Sequence, residues 1–440
     1  MKTSALSALF LFASSPAMAA AFALNTQSAE ALGAGTAGAQ AAHATPGNIY
    51  FNPAAIVGID GVEGSLSVIG VLNNSSYNSF EGALFGTVPV SGAQSGEAPL
   101  DDGVFPTGAI AAKLSERFYV GLALYAPYGF GSAYARDSAV RYHGTDSDLV
   151  SASITPVIGF AINENWSIAA GPRFQYADVG LEGAVDAGGL AFLQSVPGAV
   201  PGTDDVFFDL QGDSFDVGYI VGLQGEVTEG VRVGASFTSK IEHGLSGPAD
   251  FDVSESAAGQ ALQAVGLFLD TDFTADFATP AVAQFGAQID LTPRVTLLAS
   301  ANLTLWNSFE EVAAVFANPV QPADVLSQNW NDAWSGSLGA EIELSPTARF
   351  RFGAMYEDAP VEEAFTSPRI PDGDRIWGSV GFSKVLSERM ELHLAASYLV
   401  ADDIPVSQPA ARPENALRGS LDGVIENEAF VFGLGVDYRF

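Results

Sequence analysis

The chain closes on AFVFGLGVDYRF, which sets Phe430, Phe432, Leu434, Val436, Tyr438 and Phe440 on one side of an extended backbone. Val431, Gly433, Gly435, Asp437 and Arg439 fall on the other. Alternate side chains of a strand point to opposite faces, so one face here is apolar and the other small or charged. The same period of two recurs near 61–71, 105–113, 117–128, 150–162, 166–181, 215–226, 231–241, 279–290, 295–306, 334–344, 348–356, 374–384, 389–399 and 430–440. The pattern predicts an all-β chain of about 14 strands.

Connection lengths sort these strands into an up-and-down order. Links at Leu114–Glu116, Asn163–Asn165, Thr228–Gly230, Leu291–Arg294, Ser345–Thr347 and Val385–Glu388 are short, whereas 72–104, 182–214, 242–278 and 400–429 are long, acidic and rich in Gly, Pro and Asn. A sandwich has no reason to put every long loop at one end; a transmembrane barrel does, and its closed ladder satisfies every backbone group inside the bilayer. The aromatic terminal strand ending on Phe440 also resembles the insertion signal of bacterial outer-membrane barrels.

Alternation then separates a lipid face from a lumen face. Val295, Leu297, Leu303 and Leu305 are expected outside, with Thr296, Ser300, Asn302 and Thr304 inside; Ile168 and Phe174 point out, with Arg173 and Gln175 in. An Arg or Lys facing lipid at the midplane would cost about 2 to 4 kcal/mol, and mid-strand charges here fall mostly inward. Trp166, Tyr176, Tyr356 and Tyr438 sit near strand ends, where they read equally as interfacial girdles or as ordinary strand aromatics.

Composition narrows the partners. A net charge of −33 makes nucleic acid an unexpected partner. The chain has no Cys, so an exported form has no disulfide framework. Residues 1–19 read as an export signal: Lys2, an apolar run from Ala5 to Phe12, and the small-x-small site Ala17-Met18-Ala19. The four histidines, His43, His143, His243 and His393, are scattered without metal-ligand spacing, and no G-x-S-x-G or P-loop occurs. Neither a metal, a cofactor nor catalysis is expected. In the loops, 254–269 has one apolar helical face with Ser254 as candidate cap, and Gly189–Leu193 is a second apolar piece. Such pieces either pack on the barrel rim or form a collecting surface for hydrophobic ligands.

The segment ahead of the first strand, AAFALNTQSAEALGAGTAGAQAAHATPGNIYFNPAAI, resembles the N-terminal hatch of the FadL-like outer-membrane transporters of long-chain fatty acids and aromatic hydrocarbons. Phe22, Leu24 and Asn25, the Gly/Ala-rich middle, and Asn52-Pro53-Ala54 carry the likeness. Tyr128-Gly129 after the third strand, WNDAW (Trp330–Trp334), YEDAPV (Tyr356–Val361) and RIPDGDRIW (Arg369–Trp377) extend it over almost the whole chain. The resemblance implies a 14-stranded barrel over 59–440, plugged by a hatch over 20–58. Hydrophobic ligand would be captured at the extracellular loops and released sideways through a wall opening at strand three, formed by Pro127, Tyr128 and Gly129. That stretch reads equally as the simple end of a strand.

Three positions that the family's fatty-acid transporters use near the carboxylate align with Ala126, Gly183 and Asn331, none of which can pair with an anion. Lumen ligand candidates are therefore Arg173, Gln175, Lys240, Trp330 and Trp334. Asp358, Pro360, Asp372, Asp374, Arg375 and Trp377 read as a structural network, with Arg375 also weighed as a base for a head group. The expected protein is a non-enzymatic monomer that carries a fatty acid or similar hydrophobic molecule by passive diffusion in contact with outer-membrane lipid. A neutral aromatic hydrocarbon or alkane importer and a non-transporting structural barrel or adhesin are the alternatives.

Overall fold

The computed structural model describes residues 22–440; the export signal at 1–19 and the first two residues of the expected hatch lie outside the described residues. Among the described residues the wall has fourteen antiparallel strands. These are β1 (Val62–Leu84), β2 (Gly103–Lys113), β3 (Phe118–Tyr125 and Gly129–Ala133), β4 (Asp146–Ala161) and β5 (Trp166–Asp186). Next come β6 (Asp205–Thr228), β7 (Val231–Thr238 and Ile241–Asp252), β8 (Thr271–Thr279 and Ala281–Thr292), β9 (Val295–Leu305) and β10 (Ala333–Ser345). β11 (Ala348–Glu357), β12 (Arg375–Ser387), β13 (Met390–Ala401) and β14 (Ser420–Arg439) complete the set. Each pairs with its neighbour in sequence, and β14 returns to β1 over a register running from Glu63↔Arg439 to Ala83↔Ser420, which closes the ring.

The outer face is an apolar belt. Leu66, Ile158, Leu338 and Leu434 are 59%, 62%, 70% and 51% exposed, a distribution that only a lipid surround makes favourable. Their strand neighbours Ser67, Val157, Ser337 and Gly435 turn inward.

Several strands outrun the sequence pattern. β1 continues to Leu84, β6 starts at Asp205 and β14 at Ser420, because hydrogen bonding continues above the belt after hydrophobic alternation stops; Leu72 to Asn78 still pair with Phe430 to Val424. Three strands are broken where one run was expected: β3 at Ala126–Tyr128, β7 at Ser239–Lys240 and β8 at Pro280, whose missing N–H interrupts the ladder. One loop helix is shorter than its apolar run of 254–269, and the other begins two residues before Gly189. α2 spans Ala187–Leu193 and α3 spans Ala257–Gln263, and the two pack together. Ser256, not Ser254, caps α3, its Oγ accepting from Gly259 N at 2.8 Å; the Ser254 amide is turned back onto Asp252 Oδ1.

Residues 22–61 lie inside the ring as helix α1 (Ala29–Leu32) and three 3₁₀ turns, Ala39–Ala41, Pro46–Asn48 and Pro53–Ile56. Wall glycines let this segment come directly against the sheet: a Cβ at Gly222, Gly234 or Gly353 would collide with Asn52, with the Gln40 carbonyl or with the Ala34 carbonyl. Apolar clusters fix the segment at both ends. Leu24 and Leu32 pack on Ile69, Phe105 and Trp377, and Ile49, Ile56 and Ile59 pack on Tyr119, Val157 and Ile220. Asn52 holds the last turn: its Oδ1 accepts from Ala54 N (3.0 Å), while Nδ2 donates to the carbonyls of Gln40 (2.7 Å) and Leu223 (3.1 Å). Pro53 starts the turn and the chain then passes through Gly58 and Gly61 into β1.

Candidate functional site

Phe22 stands at the centre of an aromatic cage. Its ring centroid lies 4.7 Å from Trp306, 5.3 Å from Phe309, 5.6 Å from Trp330, 5.7 Å from Tyr128 and 6.2 Å from Phe130. The cage closes one end of an apolar cavity of about 50 Å³ lined by Phe130, Leu149, Leu181, Leu245 and Phe277, with Arg369 among them. A second, smaller hollow of about 20 Å³ shares Leu181 and Leu245 and runs on to Leu210 and Phe273. Outside, the α2 region leaves Phe192, Leu193, Val196 and Val200 exposed, an apolar surface on the loops.

The wall beside Phe22 is incomplete. β2 pairs with β3 only from Gly108↔Leu124 to Lys113↔Tyr119; Gly103–Thr107 of β2 pair with β1, and Gly129–Ala133 of β3 pair with β4 and, past the gap, bond to Pro99–Asp101 ahead of β2. Pro127 and Tyr128 form the break: the Tyr128 amide turns to Ser151 Oγ at 2.9 Å and its hydroxyl donates to the Pro280 carbonyl at 3.3 Å. The inner segment fills the space. Leu24 N donates to Pro127 O (2.8 Å), Gly129 N donates to Phe22 O (2.8 Å), and Gln27 donates to Ala126 O (2.5 Å) while its own carbonyl accepts from Thr107 Oγ1 (2.8 Å). Gln27 thus spans the two strand edges that do not meet.

Arg369 comes from the loop between β11 and β12 and is 3% exposed. Its Nη1 donates to the Asp146 carbonyl (3.0 Å) and Ser147 Oγ (2.8 Å), and its guanidinium lies 5.9 Å from the Phe208 ring centroid. Burial lowers its pKa to about 10, with Asp324 and Asp146 opposing and Arg418 adding, so it remains cationic at neutral pH. His143 nearby is buried and held down to about 3, first by burial and then by Arg418 and Arg369, so it stays neutral.

The residues singled out from the sequence separate on folding. Arg173 and Gln175 are buried and inward; Arg173 donates to Ser239 O at 3.4 Å, and Gln175 Nε2 meets His243 Nε2 at 3.0 Å. Trp330 joins the cage. Two candidates leave the lumen. Lys240 is on the outer surface, its side chain 54% exposed and paired with Glu242 at 2.7 Å: the break at Ser239 inserts one residue into the alternation and turns every later side chain over. Trp334 is 52% exposed because Ala333 beside it takes the inward position as β10 begins.

The motif around Arg375 forms a connected set. Arg375 pairs with Asp372, Asp374 accepts from Tyr356 (2.7 Å) and Ala359 N (2.8 Å), and Trp377 Nε1 donates to Glu357 at 2.7 Å. Asp358 N bonds the Trp334 carbonyl, and the Pro360 carbonyl accepts from Asn331 N. Asn25 reaches the same Glu357 carboxylate at 2.8 Å, tying the inner segment to this network. At the opposite mouth Glu30 pairs with Arg351 (2.6 Å), which also contacts Glu341 (2.5 Å). Glu30, His393 and Asp437 approach closely enough to share an ion, yet Glu30 is engaged by that arginine.

Gln27, Trp306, Phe309, Glu357 and the placing of Arg369 were not singled out from the sequence. Arg369 does stand inside the quoted RIPDGDRIW, but only the fold sets it in an apolar cavity.

A closed wall with a lipid-facing belt, an occupied lumen and an apolar interior chamber defines a plugged outer-membrane β-barrel. The chain belongs to the family described as outer membrane protein transport protein (OMPP1/FadL/TodX), whose model matches residues 10–440. Its members are transport channels for hydrophobic compounds, not enzymes, and this chain is an outer-membrane protein of that kind. It is 24% identical to the long-chain fatty acid transport protein of Escherichia coli across 99% of this chain and 98% of that one. In fold it is similar to a Pseudomonas aeruginosa FadL homologue (TM-score 0.88, 22% identity, 96% and 100% of the two chains). It is also similar to the Ralstonia pickettii toluene transporter TbuX (TM-score 0.67, 18% identity, 94% and 99% covered).

Proposed function

We propose that this protein carries long-chain fatty acids or similar hydrophobic compounds across the outer membrane by passive diffusion, with capture at the loops and lateral release at strand three. The observation that supports the reading is one contact. Phe22 lines the apolar cavity with its ring and accepts from Gly129 with its carbonyl, so the same residue ends the chamber and stops the wall gap. A cargo that displaces the Phe22 ring also withdraws the backbone that fills the opening between β2 and β3.

In this scheme residues 20–58 act as the hatch and 59–440 as the barrel. Phe22, Leu24 and Asn25 hold the gate end, Asn52, Pro53 and Ala54 anchor the far end, and Pro127, Tyr128 and Gly129 frame the exit. The Arg375 network keeps the hatch aligned through Glu357 and Asn25. Exit into the membrane spares an apolar tail from crossing water, which would cost about 0.8 kcal/mol per exposed CH₂. The ring closes on its own strands, which suits a monomer.

The test is Gly129→Val in a host lacking its own fatty-acid transporter. Uptake of oleate is expected to be lost while the barrel still folds, judged by heat-modifiable electrophoretic mobility. Wild-type uptake by a folded Gly129→Val protein would refute the lateral exit. Parallel cultures on oleate and on toluene report the cargo class.

A further inference from the structure

We propose that Arg369 is the head-group anchor of this transporter and that its cargo is a long-chain carboxylate rather than a neutral hydrocarbon. The inference rests on the transport reading above and names the chemistry the chamber selects.

A buried guanidinium is costly unless it is paired. Two other buried arginines have carboxylates: Arg141 has Asp205 at 2.7 Å, and Arg351 has Glu30 and Glu341. Arg369 has none among the described residues. One edge of its fork is used by the Asp146 carbonyl and Ser147 through Nη1, while Nε is fully buried without any partner. Arg173 is also buried without a carboxylate and its Nε too lacks a partner, but its Nη2 is on the Ser239 carbonyl and it is not part of the chamber lining, whereas Arg369 lines the chamber itself.

The space around Arg369 is shaped for it. A Cβ at Gly144 would stand 2.8 Å from its Cγ, and one at Gly183 would stand 3.0 Å from its Nη2. Glycine at both places lets the side chain lie flat against the wall with its second edge unused. A carboxylate meeting Nε and Nη2 side-on would complete the fork as a bidentate, charge-assisted pair. The tail of such a molecule has the apolar lining from Leu149 and Leu181 to Phe22 to fill. A neutral hydrocarbon fills the same lining and leaves the cation unpaired. The acidic exterior adds a reason for a fixed cation within: with a net charge of −33, the protein has little else that attracts an anion.

The experiment compares oleate with oleyl alcohol, equal in tail and different in head, by quenching of tryptophan fluorescence in purified wild type, Arg369→Gln and Arg369→Lys in a non-ionic detergent. Wild type is expected to bind oleate about 10- to 100-fold more tightly than the alcohol, the range for a charge-assisted pair. Arg369→Gln should lose that preference while keeping its affinity for the alcohol, and Arg369→Lys should recover part of it as a point charge without the fork. Equal affinity of the wild type for both ligands overturns the anchor even if no variant folds. A folded Arg369→Gln that still prefers oleate, or that loses both ligands alike, overturns it too. Wild type that binds neither ligand overturns the transport reading along with it, whereas binding without head-group preference leaves that reading intact.

Discussion

A close approach of the inner segment to the wall gives a sharp perturbation, Gly222→Ala. The added methyl would collide with Asn52 Oδ1 and come within 2.7 Å of Pro53 Cδ. Asn52 is fully buried, and β6 is held on both sides by pairing with β5 and β7, so the inner segment yields and the wall does not. Moving Asn52 breaks its bonds to Ala54 N, Gln40 O and Leu223 O. At about 1 kcal/mol net for each, the bound state loses about 3 kcal/mol, roughly a hundredfold in the closed-to-open ratio of this turn. Hydrogen exchange of amides 48–57 should accelerate by about that factor, and conductance of single channels in planar bilayers should show brief openings. Gly378→Ala is the control, since nothing lies within 4 Å of a Cβ built there. Equal protection and equal conductance in the two alanine variants would refute the argument that the wall glycines seat the hatch.

Glu30→Ala removes one partner of Arg351 and leaves Glu341 and Ser383, so the cost should be about 1 to 3 kcal/mol rather than that of an abandoned buried charge. Faster exchange confined to residues 28–36, with an unaltered barrel, is the expected signature; no change there would show the ion pair to be idle. Lys240→Ala should leave oleate uptake unchanged, because the side chain lies outside the wall. A loss of uptake comparable to a lumen mutation would mean that the alternation is not inverted at Ser239.

What the sequence determined by itself was the wall. A period of two is a local property, so each strand announces its two faces, and turn lengths announce the up-and-down order; the terminal run from Phe430 to Phe440 needed no structure to be recognised. The hatch was legible through Asn52-Pro53, whose capping oxygen and fixed φ act over three residues. Positions beyond a break were not. One extra residue at Ser239 reverses the sense of everything after it, which moved Lys240 from lumen to surface, and the start of β10 did the same to Trp334.

Tertiary structure alone decided the site. Gln27 spans β2 and β3, Glu357 collects Asn25 and Trp377 from distant segments, and Arg369 is seated against Gly144 and Gly183, more than 180 residues away in the chain. Such contacts depend on ring closure and on which loop folds into the mouth. Side-chain periodicity records how a strand meets its surroundings, and it carries no record of what arrives from the other end of the chain.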